Sequence, residues 1–265
     1  MRWIPAGFRA TVPAMDLVEL ESGAPVRRHP WEEARLAFFL RVLRGAGLLR
    51  SRVAVLDVGA GDGFIARRLA EELAPGSTVT CWDANYTAAH LASPAFAPTG
   101  RLHFTRAAPA DAFGLALLLD VLEHVADDLG FLSEVVARRL LPGAHALVSV
   151  PAWPALSSSH DEGLRHHRRY APGAARALLA GAGLEVVRGG GLFHALIPPR
   201  AAQVALERLR HRPRPPAELG GWSAPAPVTA LVRGALSLDA SLSLLLSRLG
   251  IDLPGLSWWA LCRKR

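Results

Sequence analysis

The sequence predicts an α/β chain built on a doubly wound, largely parallel sheet. Three observations carry that expectation. Strand-length apolar runs alternate with helically spaced segments from residue 52 to 187. The first of those runs ends in a glycine-rich turn, and an aromatic-rich run, SWWALC, lies near the end of the chain. Strands separated by helices imply parallel βαβ units with right-handed crossovers.

Each element follows from its local pattern. Residues 30–43 have helical spacing with a proline in the first turn. RVAVLDV, at 52–58, is a short aliphatic run bounded by glycines and reads as a buried parallel strand. A helix is expected over 64–73, a second strand over 78–82 closed by Asp83, a third over 102–105 and a fourth over 115–119. A helix over 127–140 is expected to stop at Pro142-Gly143, ahead of a fifth strand over 144–150. Residues 172–182 form a helix with proline at its start and Gly183 past its end, and a sixth strand begins over 184–187. The stretch 210–227, RHRPRPPAELGGWSAPAP, reads as an extended connection, and 228–249 as a helix. The strand at 257–262 needs a place in the sheet, and an antiparallel place beside the sixth strand suits it.

Composition narrows the function classes. With 265 residues and 51% hydrophobic residues the chain can bury a sizeable core, so wholesale disorder is excluded. Two cysteines, Cys81 and Cys262, cannot build a disulfide framework, and a reducing, cytoplasmic setting is expected. The formal charge of +7 invites a nucleic-acid or membrane partner. Yet Lys264 is the only lysine, and the arginines are scattered rather than clustered. Residues 1–15 lack the apolar run and cleavage site of a signal peptide. The leucine-rich stretch 231–249 is interrupted by Arg233, Asp239 and Arg248, which argues against a spanning helix and leaves a core, interface or membrane-surface helix.

The turn after the first strand carries the strongest chemical signal. VLDVGAGDG, at 55–63, places glycines at 59, 61 and 63, a G-x-G-x-G rather than the dinucleotide G-x-G-x-x-G. Missing side chains there let a ligand approach the backbone at the strand's end and the next helix's start. Asp83 follows Gly63 by 20 residues, at the end of the second strand, where a carboxylate can accept hydrogen bonds from two ribose hydroxyls. Loop, spacing and acid together describe a nucleoside-cofactor site.

On VLDVGAGDG at 55–63, CWDAN at 81–85 and LLLDVLEHVADD at 117–128, the chain resembles the class I S-adenosylmethionine-dependent methyltransferases, in their small-molecule branch. The resemblance implies a Rossmann-like, seven-stranded sheet whose last strand is antiparallel. It implies one domain over 1–265, with a helical cover (1–50), a cofactor-binding core (51–196), a helical insertion (197–255) and a final strand (256–265). It implies that Gly59, Gly61 and Gly63, with Ala60, line the methionine end of the cofactor. Asp57 would orient the loop, Asp83 with Ala84 would hold the ribose, and Asp120 with Val121 would face the methionine moiety. The acidic residue that would contact the adenine is not obvious: Ala107, Ala108 and Pro109 occupy that stretch and Asp111 comes late. SVPAWPALSSSHDEGLRHHRRY, at 149–170, is similar to a subgroup associated with cell-surface glycan, lipid and secondary-metabolite contexts.

Methyl transfer is an in-line displacement, so alignment is most of what the protein supplies. A hydroxyl acceptor must also lose a proton, which calls for a general base. His160 or His166, with Asp161 as the orienting partner, is the expected base. Trp31, His124, His167, Arg168, Arg169 and Tyr170 are the candidate acceptor contacts, the two arginines as a clamp for an anionic acceptor group. Trp31 also reads as an anchor for the first helix, His124 as a turn residue, and Asp161 as a helix cap. No metal is expected, because His160 and His166, six residues apart, miss the i, i+4 helical pair.

Three rival classes stay open. A nicotinamide-dependent oxidoreductase shares the first βαβ unit but lacks the glycine spacing and a Tyr-x-x-x-Lys. A nucleic-acid methyltransferase would need an Asp/Asn-Pro-Pro-aromatic motif where Asp120-Val-Leu-Glu stands, or a nucleophilic cysteine in the cleft. A repurposed cofactor-binding protein would keep the loop and Asp83 without turnover. The expected partner is therefore a small-molecule acceptor rather than nucleic acid, with lipid-linked or peripheral membrane contact as an option, in a monomer or homodimer.

Overall fold

The computed structural model describes residues 17, 28–210 and 222–265; the terminal segment 1–15 and most of the 210–227 connection lie outside them. Seven strands form one sheet: β1 (Ala54–Val58), β2 (Thr78–Trp82), β3 (Leu102–Thr105), β4 (Phe113–Leu119), β5 (Leu140–Pro151), β6 (Leu184–Leu192) and β7 (Ser257–Lys264). Their order is β3-β2-β1-β4-β5-β7-β6. β1 to β5 are mutually parallel, and β7 runs antiparallel to both β5 and β6. The final strand thus lies beside the sixth as expected, wedged between it and the fifth.

Alternation along the strands divides the core into two layers. Val55, Val79, Leu115, Leu117, Leu147 and Trp259 face one side, packed by α1 (Pro30–Gly45), α2 (Phe64–Glu72) and, from the insertion, α8 (Ala226–Arg248). Leu56, Val58, Leu118, Val148 and Trp258 face the other, covered by α4 (Asp128–Arg139) and α6 (Pro172–Gly181). The neighbouring tryptophans of β7 show the period. Trp259 meets the Phe38 ring edge-on at 5.0 Å on the α1 side, while Trp258 lies under Arg176 on the other face. Burying one such side chain contributes roughly 2–3 kcal/mol. Among the described residues the remaining α-helices are the short α3 (Ala88–Ala92) and α5 (Ser159–Gly163), and the longer α7 (Ile197–Arg210).

The largest boundary difference from expectation is at the start of β5. β5 begins at Leu140, directly after α4, and runs through Pro142-Gly143, whose turn signal loses to the sheet. β6 continues through Gly189, Gly190 and Gly191 to Leu192. A Cβ on Gly191 would stand 2.1 Å from the Leu253 carbonyl oxygen, so the glycine run admits the 253–255 backbone against the strand. α8 is long and apolar enough, by length and composition alone, to cross a membrane. One face of it is buried through Leu236, Asp239, Ala240, Ser243 and Leu244, with Asp239 accepting from the Ala195 amide at 3.1 Å. The opposite face exposes Leu231, Leu238, Leu245 and Leu249.

The strand order reverses between β1 and β4. A crevice opens at the carboxyl ends of the strands at such a switch point, and ligands bind there in this architecture. Val58 is in register with both Trp82 and Leu118, so the turns after β1, β2 and β4 emerge together at one edge.

Candidate functional site

The glycine turn is held from both ends. The Gly59 amide donates to the Trp82 carbonyl at 2.7 Å, and the Gly61 amide donates to Asp83 Oδ2 at 3.0 Å. The Tyr86 hydroxyl donates to the Gly61 carbonyl at 2.7 Å. Gly59 and Gly63 have φ of 66° and 77°, and a Cβ on Gly59 would stand 2.9 Å from a Val121 methyl. That bare turn at the start of α2 is a cradle a side chain would fill. Asp83 is buried, and each carboxylate oxygen accepts one backbone amide, from Gly61 and from Asn85. A carboxylate offers about four lone-pair sites, so two backbone amides and two ribose hydroxyls lie within its acceptor capacity. Arg106 binds the Ala84 carbonyl at the rim. Asp57 is buried at the end of β1; burial and the neighbouring Asp83 push its carboxyl up to about 7, with Arg35 opposing.

Asp120 follows β4 with φ 57°, a left-handed conformation that aspartate tolerates and that clusters at functional sites. Ser149 donates to its Oδ1 at 2.8 Å, and Arg35 of α1 forms an ion pair with it. Arg28, just before α1, pairs with Asp62 of the glycine turn. Arg35 also lies over the Trp31 ring at 4.3 Å, and Arg28 over Phe64 at 4.4 Å. The start of α1 therefore bridges the carboxyl edge of the sheet. Trp31 packs against the core and supports Arg35, so it anchors this helix. Arg28 stands in the basic and aromatic cluster RRHPW at 27–31 that precedes the first helix, whereas Arg35 was not legible in the sequence, because its carboxylate partner lies 85 residues further along the chain.

The acceptor segment differs from the expected arrangement, and the difference starts at Asp161. It is 2% exposed and caps α5, its Oδ2 accepting the Ser158 amide at 3.0 Å. The same carboxylate takes Arg169 Nε at 2.7 Å, Arg200 Nη2 at 2.5 Å and His166 Nδ1 at 3.0 Å. Burial would raise its pKa, but the hydrogen bond with His166 and the two guanidinium groups hold it well below the usual carboxylate range. Asp161 thus orients His166, not His160, and its main work is neutralising two buried cations. His160 lies on α5 with its pKa lowered by burial and by Arg200.

The expected arginine clamp is corrected in the same way. Arg168 binds Asp128 and the Ala126 carbonyl, and Arg169 binds Asp161 and the Ala152 carbonyl. The Tyr170 hydroxyl donates to Asp128 Oδ2 at 2.7 Å. These three side chains tie the segment to α4 and β5 instead of presenting charge to a ligand. His167 contributes its backbone, its amide donating to the Glu123 carbonyl at 2.8 Å.

That bond brings His166 against the turn after β4. The His124 and His166 rings meet edge-on at 4.7 Å. The surrounding protein, with His166 and His167, pushes His124 down to about 4 although the residue keeps contact with solvent, so the imidazole is neutral at physiological pH. Glu123 is wholly buried beside them. Burial raises its carboxyl to about 8, opposed by its own backbone amide, Arg35 and Arg169. Cys81 and Cys262 are buried in opposite layers of the core, and no thiol belongs to this cluster.

A glycine turn, a ribose-competent Asp83 and an acid at the β4 end, set on this strand order, define a class I S-adenosylmethionine-dependent methyltransferase domain. Residues 29–188 match the family of methyltransferase domains, and the chain belongs to that family. No curated protein sequence matches it. Among solved structures, a protein described as a sarcosine dimethylglycine methyltransferase from Galdieria sulphuraria is 16% identical. It aligns with a TM-score of 0.56 over 94% of this chain and 98% of its own. The (4+2) cyclase SpnF is 19% identical, with a TM-score of 0.53 over 94% and 91% of the two chains. A protein described as a methyltransferase from Bacillus halodurans is 15% identical, with a TM-score of 0.51 over 85% and 98%. At these identities the likeness concerns the fold.

Proposed function

We propose that the chain transfers a methyl group to a hydroxyl oxygen of a small-molecule acceptor, in the class of glycan, lipid-linked or secondary-metabolite hydroxyls. The observation that carries this reading is the placement of the Asp161-oriented His166, beside neutral His124, just beyond the turn that carries Asp120. When bound, S-adenosylmethionine supplies an activated methyl on a sulfonium, and S-adenosylhomocysteine leaves as the product. Asp83 and Ala84 would hold the ribose, and Gly59, Ala60, Gly61 and Gly63 would admit the methionine portion to the backbone. Asp57 would orient that turn. Asp120 and Val121 would face the methionine end, with Arg35 and Arg28 bringing positive charge for its carboxylate. As the new oxygen–carbon bond forms, the acceptor hydroxyl gives its proton to the Glu123–His124–His166 cluster, with His166 held in one tautomer by Asp161.

The test is methyl transfer from labelled cofactor to a panel of hydroxyl, amine and carbon acceptors. Labelled methyl ethers are expected, with a loss of roughly 100-fold or more in His166→Ala and a smaller loss in His160→Ala. Both variants should keep their cofactor affinity. Labelling confined to amines or carbon, or full activity in His166→Ala, would refute the hydroxyl reading.

A further inference from the structure

We propose that Glu123, His124 and His166 bind a divalent transition-metal cation of the zinc, iron(II) or manganese(II) class. Their ligand atoms, one from each residue, all lie within 4.8 Å of one another. Two imidazoles and one carboxylate form a donor set such cations take, with coordination positions left open, and imidazole nitrogen favours them over magnesium or calcium. The set is assembled across the fold: Glu123 and His124 come from the 3-10 turn after β4, and His166 from the segment after α5. The hydrogen bond from the His167 amide to the Glu123 carbonyl fixes the two segments together.

Glu123 is the observation that points to a ligand. It is 0% exposed, and among the described residues no other residue donates a hydrogen bond to either carboxylate oxygen. Leaving a buried carboxyl group unpartnered costs free energy, and buried polar groups are ordinarily hydrogen-bonded or bound to metal. Arg35 and Arg169 act on Glu123 through space, but Arg35 is paired with Asp120 and Arg169 with Asp161. The second observation is the support behind His166. Asp161 holds its Nδ1 at 3.0 Å, which turns Nε2 away from Asp161 as the ligand atom. A carboxylate–histidine pair of this kind fixes tautomer and ring orientation in metal sites.

The consequence for the reaction rests on the hydroxyl-transfer reading. With the cation in place His166 is a ligand rather than a free base. The cation's charge would lower the pKa of an acceptor hydroxyl placed at an open position, so that its proton passes to solvent water as the oxygen takes the methyl group. The preferred acceptors would carry an oxygen able to ligate a metal, such as one of two neighbouring hydroxyls.

The test does not require turnover. Full-length protein stripped with EDTA is titrated with zinc chloride by calorimetry, and with cobalt(II) followed by visible absorption. One zinc ion per chain is expected, together with cobalt bands of a low-coordinate nitrogen/oxygen site. Glu123→Gln, nearly isosteric, should fold and lose at least tenfold in zinc affinity; His166→Ala should do the same. Absence of saturable zinc binding, or wild-type affinity in Glu123→Gln, would overturn the proposal. Binding of S-adenosylmethionine by the stripped protein is measured in parallel, so failure of the metal site and failure of the methyl-transfer reading are read separately.

Discussion

Asp161→Ala should lower the thermal midpoint by about 10 °C or more and leave little soluble protein. Its carboxylate is the shared counter-charge of Arg169 and Arg200, each 9% exposed. Removing one member of a buried ionic cluster costs roughly 3–5 kcal/mol, because the remaining charges stay buried and uncompensated. Domains are stable by only about 5–15 kcal/mol, and a domain somewhat smaller than this chain shifts by about 2–4 °C per kcal/mol. The sign of the pH dependence follows from the depressed carboxyl. Its stabilisation is present above the ordinary aspartate pKa and is lost only as the pH falls towards the lowered native value. Thermal unfolding of wild type and variant at neutral pH checks this, with circular dichroism to monitor helix content. An unchanged midpoint would return Asp161 to a purely catalytic role.

The second large effect is on cofactor affinity. Asp83→Ala should weaken S-adenosylmethionine binding by about 1.5–3 kcal/mol, or roughly 10- to 150-fold, the scale of hydrogen bonds to a charged group. The loss has two sources. The ribose would lose its acceptors, and the Gly61 amide would lose the partner that fixes the turn. Asp83→Asn separates them, since its amide oxygen can still receive Gly61 while the charge is gone. Calorimetric affinities of the three proteins decide the matter, and equal affinities would remove Asp83 as the ribose ligand.

Those two residues also show what the sequence could reveal. Asp83 was legible because its role depends on local facts: the end of an apolar run, and a fixed spacing from a glycine turn. β1, β2, β4 and β7 were legible for the same reason, each being a short run dominated by apolar or β-branched residues. The start of β6 was legible, but its continuation through three glycines to Leu192 was not. Those glycines are needed for the approach of residues 253–255, which belong to a distant part of the chain. Asp161 was legible as the partner of His160 or His166 and as a helix cap, and the structure selects His166, but its two arginine partners were not foreseen. Its second cation, Arg200, lies 39 residues away on α7, and nothing near Asp161 in sequence signals it. Arg168, Arg169 and Tyr170 looked like an anion clamp by type, but their partners Asp128, Asp161 and the carbonyls of Leu122, Ala126 and Ala152 appear only once β4, β5 and α4 are packed. Weighing metal through the His160–His166 spacing missed His124, which meets His166 across the fold.

The central claim is that the turn after β1 and the acid after β2 form a site for S-adenosylmethionine. Titration calorimetry of the purified full chain tests it most directly. The account predicts saturable binding of one S-adenosylmethionine per chain, displaced competitively by S-adenosylhomocysteine. No detectable binding of either at millimolar ligand, by a protein shown to be folded, would contradict it.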